Sequence, residues 1–168
     1  MIKNKSKGFT LMELLVVIVV LALIIAGVGT AVTTLLEQAK QGQFKNDAVA
    51  IIDGSKTAYT MASLGQGNGL PTIKAGDMLS DGSPAKVWCI TFKQLKDLGF
   101  IEKEGENWKG YVEISVPVGG MGKSEYRISL TDGTYTISQQ MEDEVPNITS
   151  DNMMQDVAVD STCPAAYN

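Results

Sequence analysis

The polarity of this chain changes in blocks, and each block predicts an element. Between Lys7 and Glu37 the only charged side chain is Glu13, and the run 9–36 carries apolar residues on every face of a helix. Such a helix is roughly 42 Å long at 1.5 Å per residue, more than the ~30 Å hydrocarbon core of a bilayer. From Glu37 polar residues enter regularly. Ala48, Ile51, Ile52, Ser55, Ala58, Tyr59 and Ala62 then recur at i, i+3, i+4 and i+7 spacing and make one small-to-apolar stripe. Three glycines from Gly65 to Gly69 and Pro71 stop the helix. The pattern predicts a single helix over 9–62, with 9–36 the apolar part.

Past the stop, 63–110 reads as a loop-rich connector. Within it Thr91 and Gln94 have the spacing of a capping box, which opens a short helix through Leu98 that Gly99 closes. Strict alternation follows over 111–141: Val112, Ile114 and Val116; Tyr126, Ile128 and Leu130; Tyr135 and Ile137. Asp132-Gly133 reads as a two-residue hairpin turn, and Gly119 to Gly122 link the first two strands. A three-stranded antiparallel meander with one apolar face needs a cover, and the amphipathic half of the long helix supplies it. The class is therefore α+β. The apolar half finds no cover within a chain of this size, which implies a bundle with other copies.

Composition narrows the function. There is no histidine, which removes Ser-His-Asp and Cys-His nucleophilic machinery and the commonest metal ligand. No phosphate-cradling glycine loop or nucleophile elbow occurs, so no catalytic residue, cofactor or metal is assigned and the chain does not read as an enzyme. Formal charge is −5, and three of the fourteen basic residues, Lys3, Lys5 and Lys7, sit at the extreme N-terminus; without them the rest lies near −8. So acidic a chain repels phosphate backbones, and no nucleic-acid partner is expected. The tail 142–168 is acidic, but Glu142, Glu144, Asp151, Asp156 and Asp160 lack the calcium-loop spacing and read as a solvated surface. Asn147-Ile148-Thr149 matches the glycosylation pattern, a short match that arises often by chance. Trp88 and Trp108 read as packing residues. Cys89 and Cys163 are either one disulfide in an oxidising compartment or two separate thiols.

Three readings compete for the N-terminus. Lysines precede the apolar run and the next basic residue is Lys40, so the N-terminus faces the cytoplasm and the bulk of the chain faces outward. A cleaved secretory signal has a shorter apolar region and a small-residue cleavage site, which Ala22 to Ala31 offers poorly. A plain signal anchor fits length and charge but leaves Glu13 unexplained. A carboxylate there costs up to about 2.5–3.5 kcal/mol on insertion scales, less if it reaches the headgroups.

The string Lys7-Gly8-Phe9-Thr10-Leu11-Met12-Glu13-Leu14-Leu15-Val16 resembles the class III signal of type IV prepilins. The match covers about 25 residues, and beyond them the likeness is of architecture alone. The resemblance implies a leader, 1–8, removed by a prepilin peptidase between Gly8 and Phe9, with N-methylation of Phe9. It also implies that Glu13 pairs with the Phe9 amine of a neighbouring subunit and sets its register. Gly8 lacks a side chain, so an extended backbone enters a narrow protease cleft. Two charges that are costly alone in low dielectric attract strongly once together. Gly27 and Gly29 weaken the helix, each by roughly 1 kcal/mol relative to Ala, and are read either as melting points or as close-packing positions; the family's usual proline in this region is missing. The likeness further implies that Cys163 bridges back to Cys89. The implied partners are other copies of this chain, the peptidase that also methylates, the inner assembly platform and minor pilins. The implied location is the cytoplasmic membrane, then a surface pilus that serves adhesion, twitching or biofilm formation. The same N-terminus serves pseudopilins of secretion machines and minor pilins. A membrane-anchored binding protein that never polymerises is the remaining reading and predicts an uncut N-terminus.

Overall fold

The computed structural model describes residues 10–65, 72–102, 107–119, 122–149, 152–155 and 157–164, with the backbone alone at 28–31 and 72–77. The chain divides into two compact units, Met1–Lys40 and Gln41–Asn168. A single helix, α1 (Leu11–Ser63), contributes to both.

In the first unit α1 is bare. Every described side chain from Leu11 to Ile25 is exposed, Leu11 to 82 %. It is the only helix among the described residues long and apolar enough to cross a membrane by length and composition.

In the second unit α1 behaves as an amphipathic helix. Ala48, Ile51, Ile52, Ser55 and Ala58 are buried, as the stripe predicts, and Phe44 extends it one turn earlier. All of these but Ser55 share one apolar core with Ile90, Val112, Ile114, Ile128, Leu130 and Ile137 of the sheet. Phe44 stacks on Trp108 with ring centroids 5.7 Å apart, and Tyr59 meets the edge of Trp88 at 5.6 Å. Both tryptophans are packing residues.

The sheet is larger than the alternation predicts. Among the described residues six antiparallel strands run in chain order: β1 (Thr72–Met78), β2 (Pro84–Thr91), β3 (Lys109–Pro117), β4 (Glu125–Thr131), β5 (Tyr135–Met141) and β6 (Met154–Gln155). The predicted meander is β3 to β5. The stretch read as a loop-rich connector also carries β1 and β2. The turn at Asp132 has three residues rather than two, because the Asp132 carboxylate accepts from the N–H groups of both Thr134 and Tyr135 and draws the chain around itself. The short helix α2 (Phe92–Asp97) opens on the predicted capping box: Thr91 Oγ1 accepts from the Gln94 N–H and Gln94 Oε1 accepts from the Thr91 N–H. Gly99 follows it at φ +76°, a left-handed conformation that glycine adopts without strain.

The face of the sheet turned from α1 has its own cover. Cys89, Glu113 and Arg127 lie on one rung across β2, β3 and β4, and Cys89 is bonded to Cys163 of the C-terminal segment. Thr136, on the same face of β5, donates its hydroxyl to the Val157 carbonyl at 2.8 Å. The segment 157–163 therefore passes from β5 to β2 over this face. Of the five buried polar side chains among the described residues, four, Glu113, Ser129, Thr131 and Thr136, are on it. None of the buried polar atoms among the described residues lacks a hydrogen-bond partner.

Candidate functional site

The site predicted from sequence is the start of α1, and the structure reaches it from Thr10 onward. Gly8 and Phe9 lie outside the described residues. Thr10 is the residue before the first helical turn, and Glu13 is three residues on. The Thr10 N–H donates to Glu13 Oε2 at 2.8 Å, and the Thr10 hydroxyl donates to the same oxygen at 3.0 Å. In return the Glu13 N–H donates to Thr10 Oγ1 at 3.3 Å. This is a reciprocal capping box, and it satisfies two of the backbone donors that every helix start leaves open. A carboxylate in the first turn also faces the positive end of the helix dipole.

The box gives Glu13 a role within its own helix, and it names Thr10 as a site residue that the sequence reading missed. The signal was present, since Thr-x-x-Glu before an apolar run is the same pattern that identified Thr91 and Gln94. The physical effect is to supply hydrogen bonds to a carboxylate that is the one polar side chain from Leu11 to Ala26. The Glu13 carboxylate is held by its own helix and remains solvent-exposed. It is accessible to an incoming cation from another chain.

Around this group the surface is uniform. Leu11, Met12, Leu14, Leu15, Val16 and Val17 are all exposed, so the helix start presents one charge in an apolar sleeve. α1 continues unbroken through Gly27 and Gly29, and a Cβ added at Gly27 meets nothing within 4 Å. Room for a side chain there means that a close neighbour, if one packs on Gly27, comes from outside this chain.

The remaining chemistry belongs to the folded unit and holds it together. Lys56 bonds Asp53 at 2.9 Å and also Glu142, with its ammonium 5.3 Å from the centre of the Tyr126 ring. Partial burial pulls the Lys56 ammonium down, but Glu142 and Asp53 together outweigh it and hold the group above the ordinary lysine range. Burial pushes the Tyr126 hydroxyl up. No group of three or more Cys, Asp or Glu residues that could hold a metal occurs among the described residues. The Cys89–Cys163 bridge spans 74 residues, with Cα atoms 6.0 Å apart.

Neither the curated proteins nor the solved structures contain a match to this chain. One family model does match: the prokaryotic N-terminal methylation motif, over residues 3–29. That interval contains the apolar start of α1, the Thr10–Glu13 box, Gly27 and Gly29. With an exposed apolar helix and an antiparallel sheet, the α+β arrangement agrees with the type IV pilin fold. The motif and the apolar helix together indicate membrane anchoring before assembly. This motif is the class III signal of type IV pilin-like proteins, and it supports a pilin-like or pseudopilin substrate of prepilin peptidase.

Proposed function

We propose that this chain is the structural subunit of a type IV pilus, a homopolymer held together by the apolar half of α1. The leader 1–8 is cut off between Gly8 and Phe9, and Phe9 is methylated on its new amine. The subunit waits in the cytoplasmic membrane with its N-terminus inside, and the assembly platform then draws it into the filament. Glu13 exchanges part of its bonding to Thr10 for the Phe9 amine of a neighbouring copy and so sets axial register. Its output is mechanical or adhesive and not catalytic.

One observation supports this reading most directly: an exposed apolar shaft interrupted by a single carboxylate, inside a methylation motif. A plain anchor needs the shaft but not the acid. An assembling shaft needs both, because apolar contacts alone do not define how far one helix slides along another. Opposite charges in low dielectric do define it.

Glu13→Gln tests the role. The variant is expected to insert and to be processed at the normal level, with the yield of surface filaments reduced at least tenfold. Unchanged filament yield refutes the pairing. The same motif serves minor pilins and pseudopilins, and the relative mass of this chain in sheared filaments separates a main component from a trace one.

A further inference from the structure

Glu113 is a buried acid that neither the core nor the helix start puts to use. It lies in the middle of β3 with its side chain 9 % exposed. Arg127, opposite it on β4, approaches to 3.9 Å and is itself 44 % exposed. An ion pair of that length repays little of the cost of taking a carboxylate out of water, and an apolar side chain of similar size packs as well. On the other side, in register with Glu113 across β2, is Cys89. Residues directly opposite in an antiparallel pair project to the same face with Cβ atoms about 4.5–5.5 Å apart, so the carboxylate is a neighbour of the bridge.

The two halves of the bridge differ in access. Cys89 is 2 % exposed, whereas Cys163 is half-buried on a strap whose Asp160, Ser161 and Thr162 are exposed. A reducing thiolate therefore reaches the Cys163 Sγ. Its attack forms a bond between that sulfur and the reductant and breaks the bond to Cys89, whose electron pair leaves on the Cys89 Sγ. A dithiol finishes with its second sulfur: it becomes a disulfide, Cys163 leaves as a thiolate, and the protein has gained two electrons and takes up two protons. The first step is only as fast as its leaving group is stable. Here the leaving group is a thiolate made in a buried place beside a carboxylate, and desolvation and like charge both oppose it. Neighbouring charges do not cancel this. Arg127 is a strand farther away, about 9.6 Å from β2 at ~4.8 Å per strand. Lys74 of β1 is opposite Val87, two residues along β2 from Cys89. Asp160, which accepts from the Thr162 hydroxyl at 3.1 Å, adds negative charge to the strap that a thiolate must approach.

We propose that Glu113 guards the Cys89–Cys163 bridge against thiol exchange, so that the strap over the second face, once closed, stays closed when the chain meets dithiols. The strap depends on that bridge. Most of 157–163 is exposed, and the Thr136 hydroxyl holds only its far end, at Val157. Opening the bridge frees the rest of the strap and uncovers Val87 and Glu113 on the sheet. The guard is kinetic: it slows reduction by making the departing thiolate costly, and it explains why a carboxylate and not an apolar side chain lies opposite Cys89.

The test uses the full chain in detergent, with excess dithiothreitol at mildly alkaline pH and free thiols counted by mass after alkylation. Glu113→Gln keeps the size and removes the charge, and it is expected to be reduced about tenfold faster than the unsubstituted chain. Glu113→Asp keeps the charge and is expected to stay within about twofold. Arg127→Gln removes the opposing charge and is expected to be reduced about threefold more slowly. A loosened fold speeds reduction in every variant, so the opposite signs separate a charge effect from a structural one. In denaturant, where the strand register is gone, all four chains are expected to react at one rate. Equal native rates for Glu113→Gln and the unsubstituted chain overturn the proposal. So does an unchanged or faster rate for Arg127→Gln, or a difference that survives denaturant. If Glu113→Gln does not fold, the sign of the change in Arg127→Gln decides.

Discussion

Ile24 and Ile52 lie in one helix, yet Ile24 is 54 % exposed and Ile52 is fully buried. The backbone is the same and the side chain is the same. What differs is the spread of apolar residues around the helix. Before Lys40 they lie on every face, and the described residues of that unit include no second element to pack against. After Gln41 they fall on one stripe, and the sheet of the same unit covers it. The comparison teaches that folding and assembly are assigned to different residues, so substitutions separate them cleanly.

The sharpest way to break this division is to remove the first half. A chain that starts at Gln41 is expected to be a soluble monomer with a single cooperative thermal transition. Aggregation, or no transition, shows that the folded unit needs the shaft. The next effect in size is the bridge. Cys89→Ser or Cys163→Ser opens a loop of 74 residues and is expected to lower stability by about 4 kcal/mol on the chain-entropy account. Denaturant melts of the soluble form read this out, and a loss below about 1 kcal/mol contradicts it.

The paired isoleucines give the most direct contrast. Ile52→Ala leaves a hole in the shared core and is expected to cost about 3 kcal/mol. In the full-length chain, Ile24→Ala is expected to leave the melting of the folded unit where it was. Equal effects on that transition contradict the division. Gly54 is a smaller case. A Cβ there meets Ile101 Cγ2 at 2.9 Å and the Phe100 carbonyl at 3.0 Å, so α1 approaches that segment more closely than alanine allows. Gly54→Ala is expected to destabilise by about 2 kcal/mol despite alanine's better helix propensity. A gain in stability shows that the segment yields freely.

The smallest effect is one of pH. The Lys56 ammonium is held above its ordinary value, so the stability it contributes is complete below that value and is lost as pH rises through the raised one. Stability of the folded unit is expected to have no Lys56-dependent change through neutral pH and to fall only in strong alkali. Lys56→Met is expected to remove that alkaline loss, which stays below about 1 kcal/mol because the pair is partly solvated. An effect near pH 7 contradicts the assignment.

Much of this molecule was legible in its sequence, and the misses have physical reasons. The helix was readable because its two hydrophobic patterns are long, and β3 to β5 because their polar residues alternate. β2 hid because it is covered on both faces. Trp88 and Ile90 pack in the core under α1, while Val87 and Cys89, on the opposite face, are buried as well, which erases over 87–90 the alternation that marks a half-exposed strand. β1 is bulged at two places and contains Gly76, both of which disrupt a strand pattern. The cover over the second face comes from residues 157–163, far along the chain from β2, and no local pattern encodes that crossing. At the helix start the carboxylate drew attention because it was costly, whereas Thr10 was overlooked because a threonine in an apolar run costs little. Its hydroxyl and N–H prove to be what the carboxylate holds.

The central claim is that the shaft is released for assembly by a cut at its N-terminal edge. Intact mass and N-terminal sequencing of the chain, recovered from the membrane of cells that contain prepilin peptidase, test it most directly. The account predicts a mature protein that begins at Phe9, carries one added methyl group and retains the whole apolar run. A protein that begins at Met1 with Lys3, Lys5 and Lys7 in place contradicts it and leaves a tethered domain that does not assemble.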